Sequence, residues 1–256
     1  DQFDMKLLNR NHSSKQSIKA LDCITNLYDN FSIDLIYGIP YSTLEKWKNN
    51  LKMALKYKPP HLSCYSLTIE PNTVLNYKVE RGEVQLLDDN LIEKQYNYLV
   101  EELEKKGYRN YEFSSFAKPG HNAINNSNYW NGKSYIGIGP SAHSYDGKFT
   151  RSWNISNNIK YVKTIMDNKL PLKKERLNKN DLYNEFIMTG LRKQEGVSLK
   201  KVSTLFGIRY KEYLKKQLNK HIINNNIVFN GDILKISKKA KFLSDGLSSD
   251  LFFVDD

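Results

Sequence analysis

The sequence predicts an α/β fold in which parallel βα units are followed by a mainly helical domain. In the first half, apolar strand-like runs alternate with segments whose apolar residues have helical spacing, a pattern typical of a parallel sheet covered by helices. In the last third, three helix-like segments precede a hairpin-like segment, which is a winged-helix-like order. We therefore expect two domains, residues 1–155 and residues 156–256.

The first half contains the βα elements in order. Ser13 or Ser14 can cap the first helix, and Ser42 or Thr43 can cap the second, because their hydroxyls accept hydrogen bonds from free backbone N–H groups. A glycine, Gly107, ends the third helix. We expect helices over 14–28, 43–57 and 89–106, and strands over 31–37, 61–69 and 108–116.

The second half changes character at about Asn154, where segments rich in Lys and Asn begin. Apolar spacing predicts helices over 181–191, 199–206 and 210–219. A hairpin is predicted from strands 227–229 and 234–236 around the turn Asn230-Gly231-Asp232. This arrangement is compatible either with a nucleic-acid-binding domain or with a lid domain.

The stretch from Asn128 to Ser144 combines aromatic residues, closely spaced glycines and a histidine. Gly137 and Gly139 remove side chains where another group must approach the backbone, and His143 follows them at a predicted strand end. Both a ligand-lining strand end and a tight structural turn under a tryptophan explain the pattern. A short buried strand is predicted from three apolar residues, Tyr135, Ile136 and Ile138.

Polar residues near predicted strand ends are candidates for a site, because ligands of parallel sheets collect at the carboxyl ends of the strands. Asp34 lies inside the first predicted strand, where a buried carboxylate is destabilising unless it is paired. Thr68 lies at the end of the second strand. The five histidines have no metal-site spacing, so no metal ligand and no catalytic residue is assigned.

The two cysteines, Cys23 and Cys64, are far apart in apolar surroundings. We expect both to be buried apolar residues in a reducing cytoplasm, with neither a disulfide nor a metal cluster between them. The sequence has no apolar run long enough for a membrane span and no basic-then-apolar leader pattern, so we expect neither a membrane span nor export.

The chain has a formal net charge of +11. Such a charge can indicate an anionic partner, but Lys and Asn are abundant throughout the chain, which favours compositional drift over a nucleic-acid partner. The alternative is a nucleic-acid-binding tail that uses Lys215 and Lys216.

Several longer motifs, which occur in one order along essentially the whole chain, resemble those of the HemW family of radical S-adenosylmethionine (SAM) heme chaperones. This family is related to oxygen-independent coproporphyrinogen III oxidases. The motifs are Asp34-Leu-Ile-Tyr-Gly-Ile-Pro40, Tyr65-Ser-Leu-Thr-Ile-Glu-Pro71, Tyr111-Glu-Phe-Ser-Ser-Phe-Ala117, Asn128-Tyr-Trp130, Tyr135-Ile-Gly-Ile-Gly-Pro-Ser-Ala-His-Ser144 and Asn184-Glu-Phe-Ile-Met-Thr-Gly-Leu-Arg192.

The resemblance implies the C-terminal part of a partial, TIM-like (βα) radical SAM barrel, followed by a helical domain. Members of the family bind a [4Fe-4S] cluster through a C-x3-C-x2-C motif, which this chain does not contain. We therefore expect the chain to correspond to the C-terminal two-thirds of the family's proteins, with the cluster ligands outside it. By itself it is not expected to cleave SAM reductively.

The resemblance also implies roles for individual residues. Arg10 corresponds to an arginine that contacts SAM in the oxidase relatives, and Asp34 to an aspartate that contacts a cofactor molecule. Thr68 and His143 fall near further contact positions. Together with Gly137 and Gly139, these residues are expected to line the cofactor and heme cavity.

One position departs from the family. Its usual motif is His-Asn-x-x-Tyr-Trp, whereas this chain has Asn125-Asn-Ser-Asn-Tyr-Trp130. A carboxamide does not replace an imidazole as a ligand of heme iron. If the family histidine binds heme, His121 and His143 are the candidates here, and if it is structural, Asn125 can preserve a hydrogen bond.

The function implied by the resemblance is that of a cytoplasmic heme chaperone, which binds heme and SAM and transfers heme to acceptor proteins. The alternative is an oxygen-independent coproporphyrinogen III oxidase, which decarboxylates two propionate side chains oxidatively in porphyrin biosynthesis.

Overall fold

The computed structural model describes residues 2–254 of the chain. The backbone packs into two compact units, one ending at Ala123 and the other beginning at Ile124. The boundary placed between residues 155 and 156 from the sequence stays a prediction of domain organisation. Within the described residues, no helix is both long and apolar enough to cross a membrane.

The first unit is a four-stranded sheet with helices packed on it. Its helices are α1 (Gln2–Leu7), α2 (Ser14–Leu27), α3 (Leu44–Lys56), α4 (Val74–Glu80) and α5 (Asp89–Lys105). Its strands are β1 (Ser32–Tyr37), β2 (His61–Ser66), β3 (Arg109–Glu112) and β4 (Ser115–Ala117), in the order β1-β2-β4-β3. The sequence predicted these elements apart from α1, α4 and the division of the last strand.

Strands β1 and β2 pair in parallel, with Ser32 opposite His61 and Tyr37 opposite Ser66. The crossover between them is α3, which begins after Thr43, whose hydroxyl accepts a hydrogen bond from the backbone N–H of Lys46. Two parallel strands need such a crossover, because a tight hairpin reverses the chain and therefore joins antiparallel strands. The helix buries three residues at spacings of four and three, Trp47, Leu51 and Ala54.

The single strand predicted over 108–116 is wrong, because the chain folds back within it. Strand β4 pairs antiparallel with both β2 and β3. The reversal is stabilised by side chains: the carboxylate of Glu112 accepts a hydrogen bond from the backbone N–H of Ser114 at 3.2 Å. The carboxamide of Asn110 donates to the backbone carbonyl of Ser115 at 3.3 Å. Neither contact requires a Gly or Pro, so the turn carries no strong signal in the sequence.

Helix α2 begins at the predicted cap, where Ser13 and Gln16 form a reciprocal capping box. None of its residues is buried. The expectation that both cysteines are buried is therefore wrong for Cys23, which is exposed on α2, whereas Cys64 is buried in β2.

The second unit contains two three-stranded antiparallel sheets and the helices around them. Its helices are α6 (Ile124–Trp130), α7 (Asn158–Met166), α8 (Lys179–Arg192), α9 (Leu199–Phe206), α10 (Ile208–Ile223) and α11 (Ser244–Ser249), with a 3-10 turn at Lys238–Leu243. Its strands are β5 (His143–Tyr145), β6 (Thr150–Asn154), β7 (Leu172–Arg176), β8 (Val197–Ser198), β9 (Ile227–Asn230) and β10 (Ile233–Ile236).

The buried strand predicted over Tyr135, Ile136 and Ile138 is wrong. Tyr135 forms an isolated antiparallel bridge with Tyr145, while Ile136 and Ile138 are 86% and 88% exposed. Of these three residues, Tyr135 alone has a bridge partner, and the chain turns directly after Ile138, where Gly139 has a positive φ of 105°.

The winged-helix-like order of the tail is confirmed and extended. Strand β8 precedes α9 and pairs with β10, so the tail reads α8, β8, α9, α10, β9, β10. The core of this part is contiguous and almost fully enclosed. It includes Tyr183, Ile187, Val202, Leu214, Leu218 and Leu234, each with an exposed fraction of zero.

This core generates a stability prediction that compares two leucines. Replacing Leu214, which is fully buried, with Ala should lower the free energy of unfolding by about 3 kcal/mol, because it removes transfer free energy and leaves a cavity. Leu205→Ala on α9, where the side chain is 58% exposed, should change it by less than about 0.5 kcal/mol. Urea-induced unfolding followed by circular dichroism measures both, and equal losses would contradict the burial of Leu214.

Candidate functional site

A cavity with a volume of about 1000 Å³ lies in the first unit. It lies between α2 and the edge strand β1, and is closed by the loop after α1 and by residues of α3. Arg10 and Asp34, two of the residues selected from the sequence, both line it. Ser32 and Tyr65 add hydroxyls to the same wall, and Leu35 adds apolar surface.

Asp34 was chosen from the sequence as a buried carboxylate that needs a partner. That reason is wrong because Asp34 is exposed, but the residue does line the cavity. β1 is at the edge of the sheet, and its side chains alternate between the two faces. Ile33 is 8% exposed and belongs to the core, whereas Asp34 points the other way. A carboxylate in contact with water carries no desolvation penalty, so it is available to accept hydrogen bonds from a ligand.

Arg10 follows the last turn of α1, where its backbone N–H donates to the carbonyl of Met5 at 2.8 Å. The left-handed backbone of Asn9, with a φ of 52°, turns the chain at this point. The side chain of Arg10 is exposed and lines the cavity. A guanidinium and a carboxylate that line one cavity suit a ligand that carries both an anionic group and hydrogen-bond donors.

Thr68 is exposed in the segment after β2 and is not among the residues that line this cavity. The structure therefore brings Arg10 and Asp34 together but does not add Thr68 to them. Its role stays a prediction.

A buried histidine that sequence reasoning missed supports the cavity wall. His61 lies opposite Ser32 in the parallel register, and its Nδ1 is 2.7 Å from the hydroxyl oxygen of Ser32. Its Nε2 is 2.8 Å from the hydroxyl oxygen of Tyr111. Burial lowers the pKa of His61 from 6.5, and the carboxylate of Asp34 opposes that shift. His61 is thus neutral at pH 7, and its contacts fix the position of Ser32 on the cavity wall.

In the second unit, the glycines have a local structural role. A Cβ atom on Gly137 would lie 2.1 Å from the backbone carbonyl oxygen of His143, so the group that approaches this glycine is the chain itself. The carbonyl of Gly139 accepts a hydrogen bond at 2.9 Å from the side chain of Asn154. Roles of Gly137 and Gly139 toward a ligand stay predictions.

His143 is the first residue of β5 and its side chain is exposed. The imidazole stacks on the indole of Trp153, with ring centroids 5.9 Å apart and an interplanar angle of 25°. The stack holds one face of the ring against β6 and leaves the side chain accessible from solvent. His143 can therefore ligate an external metal-containing group, whereas no group of three or more metal-ligating side chains is present within residues 2–254.

The segment Asn125 to Trp130 forms most of α6. Asn125 is exposed, and Trp130 contacts the guanidinium of Arg192 at the end of α8, 5.1 Å from the ring centroid. Next to it, the ammonium of Lys193 donates a hydrogen bond to the side-chain oxygen of Asn131 at 3.0 Å. Sequence reasoning missed Lys193, because helical spacing does not show which neighbouring helix a lysine meets.

The architecture defined by these elements, a partly parallel sheet followed by a winged-helix-like tail, is that of a solved radical SAM enzyme. The chain aligns with coproporphyrinogen III oxidase (HemN) from Escherichia coli with a TM-score of 0.78, over 98% of this chain and 62% of that chain. The sequences are 16% identical, so this similarity concerns the fold. The predicted fold class, the C-terminal part of a radical SAM barrel followed by a helical domain, is thereby confirmed.

The sequence comparisons are more specific. Residues 177–243 match the HemN C-terminal domain family. The heme chaperone HemW of Buchnera aphidicola subsp. Schizaphis graminum (strain Sg) is 32% identical over 249 residues, 95% of this chain and 63% of that protein. The heme chaperone HemW of Lactococcus lactis subsp. lactis (strain IL1403) is 30% identical over 227 residues, 88% of this chain and 59% of that protein.

Over nearly its whole length the chain is therefore similar to heme chaperones HemW, and its residues 177–243 match the HemN C-terminal domain. It spans about 60% of the length of these curated relatives.

The neutral state of His61 generates a prediction about pH. The pKa of His61 is lower in the folded state than in the unfolded state. Below about pH 6.5, its imidazole therefore binds a proton more readily in the unfolded chain than in the folded chain. The free energy of unfolding should therefore fall between about pH 7 and about pH 5. His221, whose pKa is also lowered by burial, contributes in the same direction.

The measurement is urea unfolding at several pH values for the wild-type protein and for His61→Gln. The variant should lose stability less steeply as the pH falls. An identical pH dependence in both proteins would show that His61 is not held neutral.

Proposed function

We propose that this chain is part of a heme chaperone of the radical SAM type, which acts in the cytoplasm, binds heme and SAM, and transfers heme to acceptor proteins. One observation carries the proposal: the relatives matched over 88% and 95% of the chain are themselves heme chaperones HemW. The coproporphyrinogen III oxidase activity stays the second candidate, since the similar solved structure has that name but only 16% sequence identity.

The cavity beside β1 is proposed to hold SAM. The guanidinium of Arg10 suits the carboxylate of the cofactor, and the carboxylate of Asp34 suits its amine or ribose hydroxyls. The volume of about 1000 Å³ is in the range of small-molecule sites. A [4Fe-4S] cluster, with ligands outside this chain, would supply the electron for reductive cleavage of SAM. Thr68 of the first unit is proposed as a further cofactor contact. Gly137 and Gly139 of the second unit are proposed separately as residues that contact a cofactor.

His143 is proposed as a ligand of the heme iron. It is exposed beside the glycine-rich segment, and its stacking on Trp153 orients the ring without using either nitrogen. His121 is the weaker candidate, because its Nδ1 already lies 3.3 Å from the side-chain oxygen of Asn30. Asn125 has a carboxamide in place of an imidazole, so it is not proposed as an iron ligand.

The cofactor proposal predicts that Asp34→Asn weakens binding of SAM about tenfold, because the variant loses a charged hydrogen-bond acceptor. Asp29→Asn is the matched control, since Asp29 is also exposed but is not among the residues that line the cavity. Equilibrium dialysis with labelled SAM measures both. Equal affinities for the two variants would remove Asp34 from the site.

The heme proposal predicts that His143→Ala weakens hemin binding and shifts the Soret band, because an axial ligand is lost. His121→Ala should bind hemin as the wild-type protein does. Spectrophotometric titration provides the comparison, and the full-length protein is assayed in parallel for coproporphyrinogen turnover. Turnover would favour the oxidase, and loss of binding in His121→Ala alone would reassign the iron ligand.

A further inference from the structure

A second cavity of the first unit lies between α3 and α5, and has a volume of about 780 Å³. It uses a different face of α3 from the cavity beside β1, and the two share no lining residue. Six lysines against two carboxylates give its lining a formal charge of +4. These residues are Lys48, Lys52, Lys56, Lys58, Lys106 and Lys118, with Glu45 and Glu102.

Three of the lysines form a stripe along α3. Lys48, Lys52 and Lys56 follow one another at intervals of four residues, so their side chains lie on one face of the helix. Like charges at this spacing repel one another and destabilise a helix. A cation in the last turn is favoured by the helix dipole, which accounts for Lys56, but Lys48 and Lys52 precede that turn. The stability of α3 alone therefore does not explain the stripe.

Carboxylates of the protein neutralise only part of the charge in the cavity. The ammonium of Lys48 is 3.7 Å from a carboxylate oxygen of Glu45, and that of Lys106 is 3.8 Å from one of Glu102. Lys118, which follows β4, donates a hydrogen bond to the backbone carbonyl of Lys106. Its ammonium is thus held in place without being neutralised.

The other three lysines are available to a ligand. Lys52, Lys56 and Lys58 are exposed and have no carboxylate partner among residues 2–254. Lys58 also has a left-handed backbone, with a φ of 49°, directly beyond the end of α3. Glycine is the usual residue at such a position, because it has no Cβ atom. A lysine there adds a further positive charge to the cavity instead.

We propose that the cavity between α3 and α5 binds a compact anion with several phosphate groups. Lys52, Lys56 and Lys58 would contact it from the side of α3, and Lys118 from the segment after β4. The ammonium of lysine is a point charge that suits phosphate, and the lining contains none of the arginine forks that bind carboxylates in a bidentate way. A cavity between two helices fits a compact ligand better than the flat surface of a bilayer.

This site is separate from the contacts proposed for SAM and heme, so it does not rest on the proposed function. Its phosphate groups could come from an inorganic polyphosphate or from a nucleotide, since both present the same chain of phosphates to the lysines. The probes are therefore tripolyphosphate, ATP and adenosine.

The experiment is calorimetric titration of this chain with tripolyphosphate in a buffer of low ionic strength. Wild-type protein should bind it, and the double variant Lys52→Gln/Lys56→Gln should bind at least about tenfold more weakly, because two charge-assisted contacts are lost. Added salt should weaken binding to the wild-type protein, since the lysines are exposed.

The matched control is Lys15→Gln/Lys19→Gln. These two lysines are also exposed and four residues apart on a helix, α2, but they line neither cavity. The control removes the same net charge and should bind tripolyphosphate as the wild-type protein does. Urea unfolding without ligand checks the folding of Lys52→Gln/Lys56→Gln, which should be at least as stable as the wild-type protein because repulsion along α3 is relieved.

The other probes distinguish the sources of phosphate. Equal affinities for tripolyphosphate and ATP would support recognition of the phosphate chain alone. Tighter binding of ATP, weakened in the same way by Lys52→Gln/Lys56→Gln, would support a nucleotide. Adenosine, which has no phosphate, should not displace tripolyphosphate.

Three results would overturn the inference. The first is no binding of tripolyphosphate to the wild-type protein, even if ATP binds. The second is an unchanged affinity in Lys52→Gln/Lys56→Gln, which would place the anion elsewhere. The third is an equal loss of affinity in Lys15→Gln/Lys19→Gln, which would assign the effect to net charge.

Discussion

The parallel pairing of β1 with β2 determines most of what the first unit can do. It requires α3 as a crossover, and the burial of Trp47, Leu51 and Ala54 fixes that helix on the sheet. The register then brings Ser32 beside His61, which fixes the hydroxyl on the cavity wall. Asp34 lies two residues further along the same strand and lines the same cavity.

The second unit is organised by a different constraint, the close approach of backbone segments. Gly137 packs against the backbone of His143, and Gly190 leaves space on α8 for Val197, whose side chain would lie 2.4 Å from an added Cβ. Both glycines are required by contacts within the chain. Packing within the chain is thus sufficient to explain why these two positions are glycine.

Local signals were sufficient to predict six helices, α2, α3, α5, α8, α9 and α10, whereas α1, α4, α6, α7 and α11 were not predicted. Ser13 and Thr43 cap α2 and α3 as expected, because capping depends on residues three positions apart. Features that depend on distant partners were missed. The exposure of Asp34 follows from the edge position of β1, and the turn before Ser115 relies on the side chains of Asn110 and Glu112. The hydrogen bond from Lys193 to Asn131 joins two segments that are far apart in the sequence, so helical spacing did not reveal it.

The edge strand also has a consequence for a polypeptide that consists of these residues alone. Within residues 2–254, β1 is paired on one side only, and the apolar residues of α2 beside it are not fully covered. A strand edge with free N–H and C=O groups next to apolar surface is a template on which a further strand can add. A strand from a second molecule would join two such polypeptides at this edge, whereas a strand from the remainder of a longer protein would cover it.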